Sequence, residues 1–148
     1  MKLLEHVLSK KKIIELVLFI LFTIFVIWLT LLKREPEHQR IFKQELFWAI
    51  RAWIAGEYNG REETIQYFEN ILLFIPFGIF FPWKEKGWML FISLFSLSII
   101  IELAQFIFSL GWCEIDDVIT NTAGAMMGYW GYVVIRKNLY EIQGRKEK

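Results

Sequence analysis

The sequence predicts an all-α, polytopic membrane helical bundle with four transmembrane segments. Three observations predict it. Hydrophobic residues make up 55% of the 148, with 14 Phe and 7 Trp, more apolar surface than one soluble domain of this length buries. The apolar residues fall into long runs separated by charged or turn-forming stretches. Costly polar side chains sit inside those runs: Asn70, Glu102, Gln105, Asp116, Asp117 and Asn121. Such residues usually face a bundle interior or a wet cavity, so they mark where function is first sought.

The first span runs from Ile13 to Leu32, roughly 30 Å at 1.5 Å per residue, one hydrocarbon core. Lys10, Lys11 and Lys12 precede it. It is too long for the apolar core of a signal peptide, and no small-residue cleavage site comes before Lys33, so it reads as a retained signal anchor. Glu15 at its charged end reads as an acid that snorkels beside the lysines. Residues 33–66 form a long polar connection. Within it Phe42, Leu46, Ile50 and Trp53 recur at helical spacing, which suits an amphipathic helix in the interface plane; a cap on the bundle is equally open. Asn59-Gly60 is the breaker that follows.

The second span covers 67–83 and contains Pro76, which frees the carbonyl of Leu72. A kinked span and a re-entrant segment are both open. The Trp83-to-Trp88 connection carries the Trp and Lys pairing of a membrane interface. The third span covers 88–110, and a short turn at Gly111–Glu114 follows. The fourth covers 115–135, where Arg136 and Lys137 stop it, and the charged tail to Lys148 is expected to be loose. Lysine and arginine number four at the N-terminus, two in the 84–87 loop and five at the C-terminus, against six in 33–66 and none in 109–115. This places both termini on the cytoplasmic side.

With that orientation the polar residues share the outer half of the membrane. Ser98, Glu102, Gln105 and Ser109 form one helical stripe, and Asp117, Asn121, Gly124, Gly128 and Gly131 form another. The glycines suit close helix approach, alongside Pro76 and Gly78 on the second span. The expected picture is a tight helix pair on the cytoplasmic side and a polar pocket opening outward. Plainer roles compete. Asp116 lies in a first helical turn, where capping is the favoured reading. Glu102 has no capping role; its plain role is a hydrogen bond to Asn70 or Asn121. Asn70 can serve groups freed near the kink, and Gln105 can bridge two helices.

Other classes are excluded or unsupported. The formal charge of +1 offers no field for nucleic acid. Cys113 is the only cysteine, so no intrachain disulfide and no Cys-based zinc site can form. His6 and His38 lie outside the spans. No serine elbow, HExxH or P-loop is present, and no ligand spacing supports a metal or cofactor.

The pieces N-ILLFIPFG from Asn70 to Gly78, IE-x-x-Q from Ile101 to Gln105, and IDD-xxx-NT-x-G from Ile115 to Gly124, followed by Gly128, resemble the VanZ-like family of bacterial membrane proteins. The resemblance covers under half the chain in its specific motifs. Many members place an arginine in the turn before the aspartates; here that turn reads Gly111-Trp112-Cys113-Glu114, which puts direct binding of an anionic headgroup in doubt. The family's namesake is associated with low-level resistance to the lipoglycopeptide teicoplanin. The resemblance therefore implies a role at the cell envelope with no settled chemistry. One expectation is a non-enzymatic membrane protein that binds a lipid-linked envelope molecule or lipoglycopeptide, or alters membrane lipids. A second is an enzyme using Glu102 and Asp117 as acid and base on a lipid-linked substrate oriented by Asn70, Gln105 and Asn121. A small oligomeric transporter is the third.

Overall fold

A computed structural model describes residues 2–36, 40–57 and 60–146, with side chains described from 10 to 143 within those ranges. His38, the side chain of His6 and the Asn59 half of the expected breaker lie outside the described residues. Helix α1 is Lys2–Ile27, continued by a π-helical turn at Trp28–Leu32. Helix α2 is Trp48–Ile54, α3 is Gly60–Phe80, α4 is Gly87–Phe108 and α5 is Ile115–Lys146. Two short strands, β1 (Phe42–Lys43) and β2 (Cys113–Glu114), pair in parallel. Two of these helical segments are long and apolar enough to cross a membrane, Lys10–Leu32 and Gly87–Phe108. Gln66, Glu69 and Asn70 dilute α3, and a charged C-terminal third dilutes α5.

The tightest seam joins α3 and α5, which run parallel. A Cβ on Gly124 would collide with the carbonyl of Ile71, and one on Gly128 with the carbonyl of Ile75. From the other side, a Cβ on Gly78 would collide with Ala125 and Tyr129 backbone atoms. Backbone thus lies on backbone along this seam. Gly131, grouped with these glycines by spacing, does not belong to the seam. A Cβ there would meet nothing within 4 Å, because this stretch of α5 opens onto a groove lined by Ile75, Ile79 and Ile135. Pro76 is accommodated inside an unbroken α3, so the segment is one continuous helix that starts before residue 67.

Helix α4 packs antiparallel to α5 through Leu90, Leu94 and Ile101. Helix α1 attaches by aromatic edges: Phe22 meets Phe77 at 5.0 Å between ring centroids and Phe19 meets it at 5.4 Å. Such pairs add about 0.5–1.5 kcal/mol beyond their burial. Outside this core, large apolar side chains are exposed on every long helix, among them Ile14, Leu72, Phe91, Ile100, Trp130 and Ile135. A soluble monomer seldom carries so continuous an apolar surface.

Two expectations about irregular segments are corrected. Phe42, Leu46, Ile50 and Trp53 do not share one helix: Phe42 is in β1, Leu46 precedes α2, and all four are exposed. The buried face of α2 is Ala49 and Ala52 instead, because only small residues let it lie against the start of α3, where a Cβ on Gly60 would strike the Ala52–Trp53 backbone. The tail is not loose after Arg136, since α5 continues to Lys146 through a stretch without proline and with good helix formers such as Leu139, Glu141 and Gln143.

Gly124→Val and Gly128→Val should each destabilise the protein by about 1–3 kcal/mol or more, while Gly131→Ala should be neutral or slightly stabilising, since a mid-helix glycine costs up to about 1 kcal/mol. Thermal unfolding in detergent, followed by circular dichroism, checks this. Unchanged midpoints in both valine variants would mean that the seam is not a backbone contact.

Candidate functional site

The polar residues converge at the end of the bundle formed by the start of α5, the end of α4 and the upper half of α3. Asp116, only 1% exposed, accepts the backbone N–H of Phe47 at 2.7 Å and the hydroxyl of Tyr67 at 2.5 Å. Its carboxyl therefore ties a loop and α3 to α5, and the capping role is replaced. Phe47 has φ of 53°, a left-handed conformation that costs a bulky residue energy; the Asp116 acceptor is one of the groups that holds it there.

Glu102 is 4% exposed, so it faces the interior and not lipid. It accepts the backbone N–H of Glu114 at 2.9 Å, and neither Asn70 nor Asn121 is its partner. Glu114 in turn accepts the indole N–H of Trp48 at 3.0 Å. Asn121 donates to Ser98 across the α4–α5 contact at 2.8 Å. Gln105 donates to the carbonyl of Thr30 at 3.2 Å, a helix–helix bond that reaches the π-helical end of α1. Asn70 stands beside the Asp117 carboxyl, and both are half-buried. Pro76, Gly78, Gly124 and Gly128 lie deeper and set the spacing of α3 and α5.

The cluster does not open freely outward. Residues 40–48 roof it: Cys113 N–H bonds the Ile41 carbonyl at 2.9 Å, β1 lies on β2, and the Lys43 ammonium sits 3.1 Å from the centroid of Trp48 and 4.1 Å from that of Trp112. Unpaired amides of such a loop need buried acceptors, and Asp116 supplies one. The accessible edge is the one that holds Asn70 and Asp117.

Several contributors escaped the sequence reading. Tyr67, Trp48 and Glu114 carried no signal beyond residue type. Arg34 is the most instructive. It reaches the α4–α5 turn, where its guanidinium donates to the Leu110 carbonyl at 3.4 Å, and it lies near Glu102 and Asp117. Arg40 donates to Ser109 at 3.2 Å. The turn at 111–114 holds no arginine, yet two arginines reach it from the preceding loop. Gly111 makes room: its φ is +144° and a Cβ would press on Arg34.

Electrostatically the site is rich in acceptors. Gln105 Oε1, Asp116 Oδ1 and Asn121 Oδ1 are buried without a donor among the described residues. The Gln105 assignment is firm, because only its NH2 can donate to a carbonyl. Burial raises the Glu114 carboxyl, opposed by the Trp48 N–H. Burial also pushes the Cys113 thiol up to about 11. Among the described residues no three metal-ligating side chains converge. Chemically, such a site suits groups that bring donors: hydroxyls, amide N–H or ammonium.

Asp116→Ala should destabilise by about 1–3 kcal/mol for each of the two donors it strands, and Tyr67→Phe by less. Hydrogen exchange at the Phe47 amide should accelerate in Asp116→Ala; unchanged exchange would show that the carboxyl does not hold the loop. Cys113 should react slowly with maleimide near neutral pH until the protein is denatured, since the thiolate is the nucleophile. Rapid labelling of native protein would contradict its burial.

Comparisons with known proteins place the chain in a family. The family model described as VanZ/LLP1 matches residues 19–136, which takes in the whole polar cluster and the glycine seam. Protein VanZ of Enterococcus faecium is 30% identical over 131 residues, covering 86% of this chain and 79% of that protein. No solved structure matches the chain. The chain belongs to the VanZ/LLP1 family.

Proposed function

We propose that this chain is a multi-pass membrane protein of the bacterial cell envelope whose polar end engages a donor-bearing part of an envelope molecule, lipid-linked or lipoglycopeptide, and so modulates susceptibility to teicoplanin-type antibiotics. The observation that carries the reading is the accessible edge where Asn70 and the Asp117 carboxyl, both half-buried, stand together beside the buried carboxyls of Glu102 and Asp116. Behind that edge Gln105, Asp116 and Asn121 carry acceptor oxygens with no protein donor among the described residues, and a buried acceptor left without any donor costs on the order of 1–3 kcal/mol. The relative in Enterococcus faecium and the family's link to teicoplanin resistance give the antibiotic context.

The topology is part of the proposal. Helices α1 and α4 run one way and α3 and α5 the other, as alternating passes require. The exposed apolar side chains on all four suit lipid. The Lys and Arg excess at the end opposite the polar cluster favours cytoplasmic termini. Glu69 is exposed on α3, so the outer edge of the hydrocarbon falls near it. The neighbouring Asn70–Asp117 edge then lies at headgroup depth, where a lipid-linked molecule presents its polar part.

A second reading rests on one observation. Glu102 and Asp117 lie within electrostatic range of each other, as an acid–base pair acting on a lipid-linked substrate requires. Glu102→Gln and Asp117→Asn separate the two readings, because each amide keeps an acceptor for the existing bonds. In a deletion strain complemented with each variant, wild-type protein should restore the teicoplanin susceptibility profile and labelled-drug binding. Binding alone predicts modest losses in the amide variants. Acid–base catalysis predicts losses of about 10²–10⁴ in turnover of a lipid-linked substrate. If deletion changes neither susceptibility nor drug binding, the envelope reading fails.

A further inference from the structure

A cavity of about 1080 Å³ lies at the other end of the bundle, between the start of α1, the α3–α4 connection and the last third of α5. Its wall is divided by chemistry. Ile13, Leu16, Pro82 and Val133 supply an apolar side, continuous with the exposed apolar surface of α1. Lys11, Lys12, Lys84, Arg136 and Lys137 supply five cations, against the three carboxylates Glu15, Glu85 and Glu141. Two of those carboxylates are engaged: Lys11 meets Glu15 at 3.8 Å and Lys12 meets Glu85 at 3.3 Å. Among the described residues, no carboxylate lies within salt-bridge distance of Lys84, Arg136 or Lys137, although the Glu15 charge acts on Lys84 from farther away and Arg136 donates to the Tyr140 hydroxyl at 3.2 Å.

Lys84 is the most constrained of them. Its ammonium donates to the Gly78 and Ile79 carbonyls at 2.9 and 2.5 Å, at the end of α3. It lies 4.2 Å from the centroid of Tyr132, whose hydroxyl accepts from Lys11 at 3.0 Å. Burial holds it down to about 8, with the Glu15 carboxylate opposing the shift and the Lys11 and Arg136 charges adding to it. A cation in that position gains from an anion brought by something else. Trp83 borders the cavity and is 41% exposed, as tryptophan is at a membrane surface.

We propose that this cavity seats the phosphate of an anionic phospholipid, with Lys84, Arg136 and Lys137 around the headgroup and the chains along Ile13, Leu16 and Val133. An apolar wall meeting cations that no carboxylate bridges, at interfacial depth, matches that amphiphile and matches neither a neutral lipid nor a soluble anion. The site is separate from the acceptor-rich end; it rests on the membrane topology proposed above and not on the ligand proposed for that end.

The purified full chain in nanodiscs tests this, with dioleoylphosphatidylglycerol titrated into phosphatidylcholine and binding read by native mass spectrometry and thermal shift. The wild type should retain phosphatidylglycerol over phosphatidylcholine and melt higher with it. Arg136→Gln and Lys137→Gln, exposed positions whose loss leaves the fold intact, should each weaken retention roughly fivefold. Lys84→Ala should weaken it at least as much, with the Arg136 and Lys137 variants guarding against a folding defect. Equal retention of the two lipids, or wild-type retention in the double Arg136→Gln/Lys137→Gln variant, overturns the proposal. Equal stabilisation by glycerol 3-phosphate alone also overturns it, by showing a site for a free anion.

Discussion

Everything at the polar end depends on how closely α3 approaches α5. Three glycines, Gly78 on one helix and Gly124 and Gly128 on the other, put main chain against main chain. In that contact there is no side chain to yield, so the relative register of the two helices is fixed. That register sets Tyr67 opposite Asp116 and Asn70 beside Asp117. In lipid the hydrophobic effect does little to hold helices together, and close packing with interhelical hydrogen bonds must do it. The seam supplies the first, and the carboxyls at its polar end supply the second.

From the seam, order spreads to a loop whose only regular pairing is the short β1–β2 ladder. Residues 40–48 bury backbone groups against the α4–α5 turn and must find partners for them. Cys113 and Ile41 exchange one bond, Asp116 takes the Phe47 amide, and Glu114 takes the Trp48 indole. Glu102 then takes the amide of Glu114 itself. The carboxyls are thus linked in series: α4 to the turn, the turn to the loop, the loop to α5. One chemical type serves both to hold the loop and to leave acceptor capacity over, which is why structural and ligand-facing roles overlap on the same residues.

What was legible in the sequence follows the range over which each signal acts. The helical stripes were legible only in part because 3.6-residue periodicity is local: Asn121 meets Ser98 on α4, Gly124 and Gly128 meet Ile71 and Ile75 on α3, and Gly131 meets neither helix. The tie from Asp116 to Phe47 and Tyr67 was not, since those partners lie 69 and 49 residues away and a first-turn aspartate looks like a cap. Arg34 was hidden for the same reason: the turn it serves is 76 residues downstream. The stripe of Phe42, Leu46, Ile50 and Trp53 misled because spacing does not say where a helix begins: Phe42 pairs in β1, Leu46 precedes α2, and only Ile50 and Trp53 lie on it. Ala49 and Ala52, the residues small enough for backbone contact, set the face of α2 that packs.

The two ends of the bundle ask for opposite partners. Near Asp117 the protein offers acceptors and needs donors; near Lys84 it offers donors and needs an anion. From Asp116 to Arg136 along α5 is roughly 30 Å, one bilayer core, so no single headgroup reaches both. The rigid body common to them is the glycine seam. A perturbation at Gly124 or Gly128 must therefore disturb both ends together. A change confined to Glu102 or Arg136 leaves the seam intact and acts at one end only. Loss of both activities in a variant thus points to the seam, and loss of one points to the chemistry of that end.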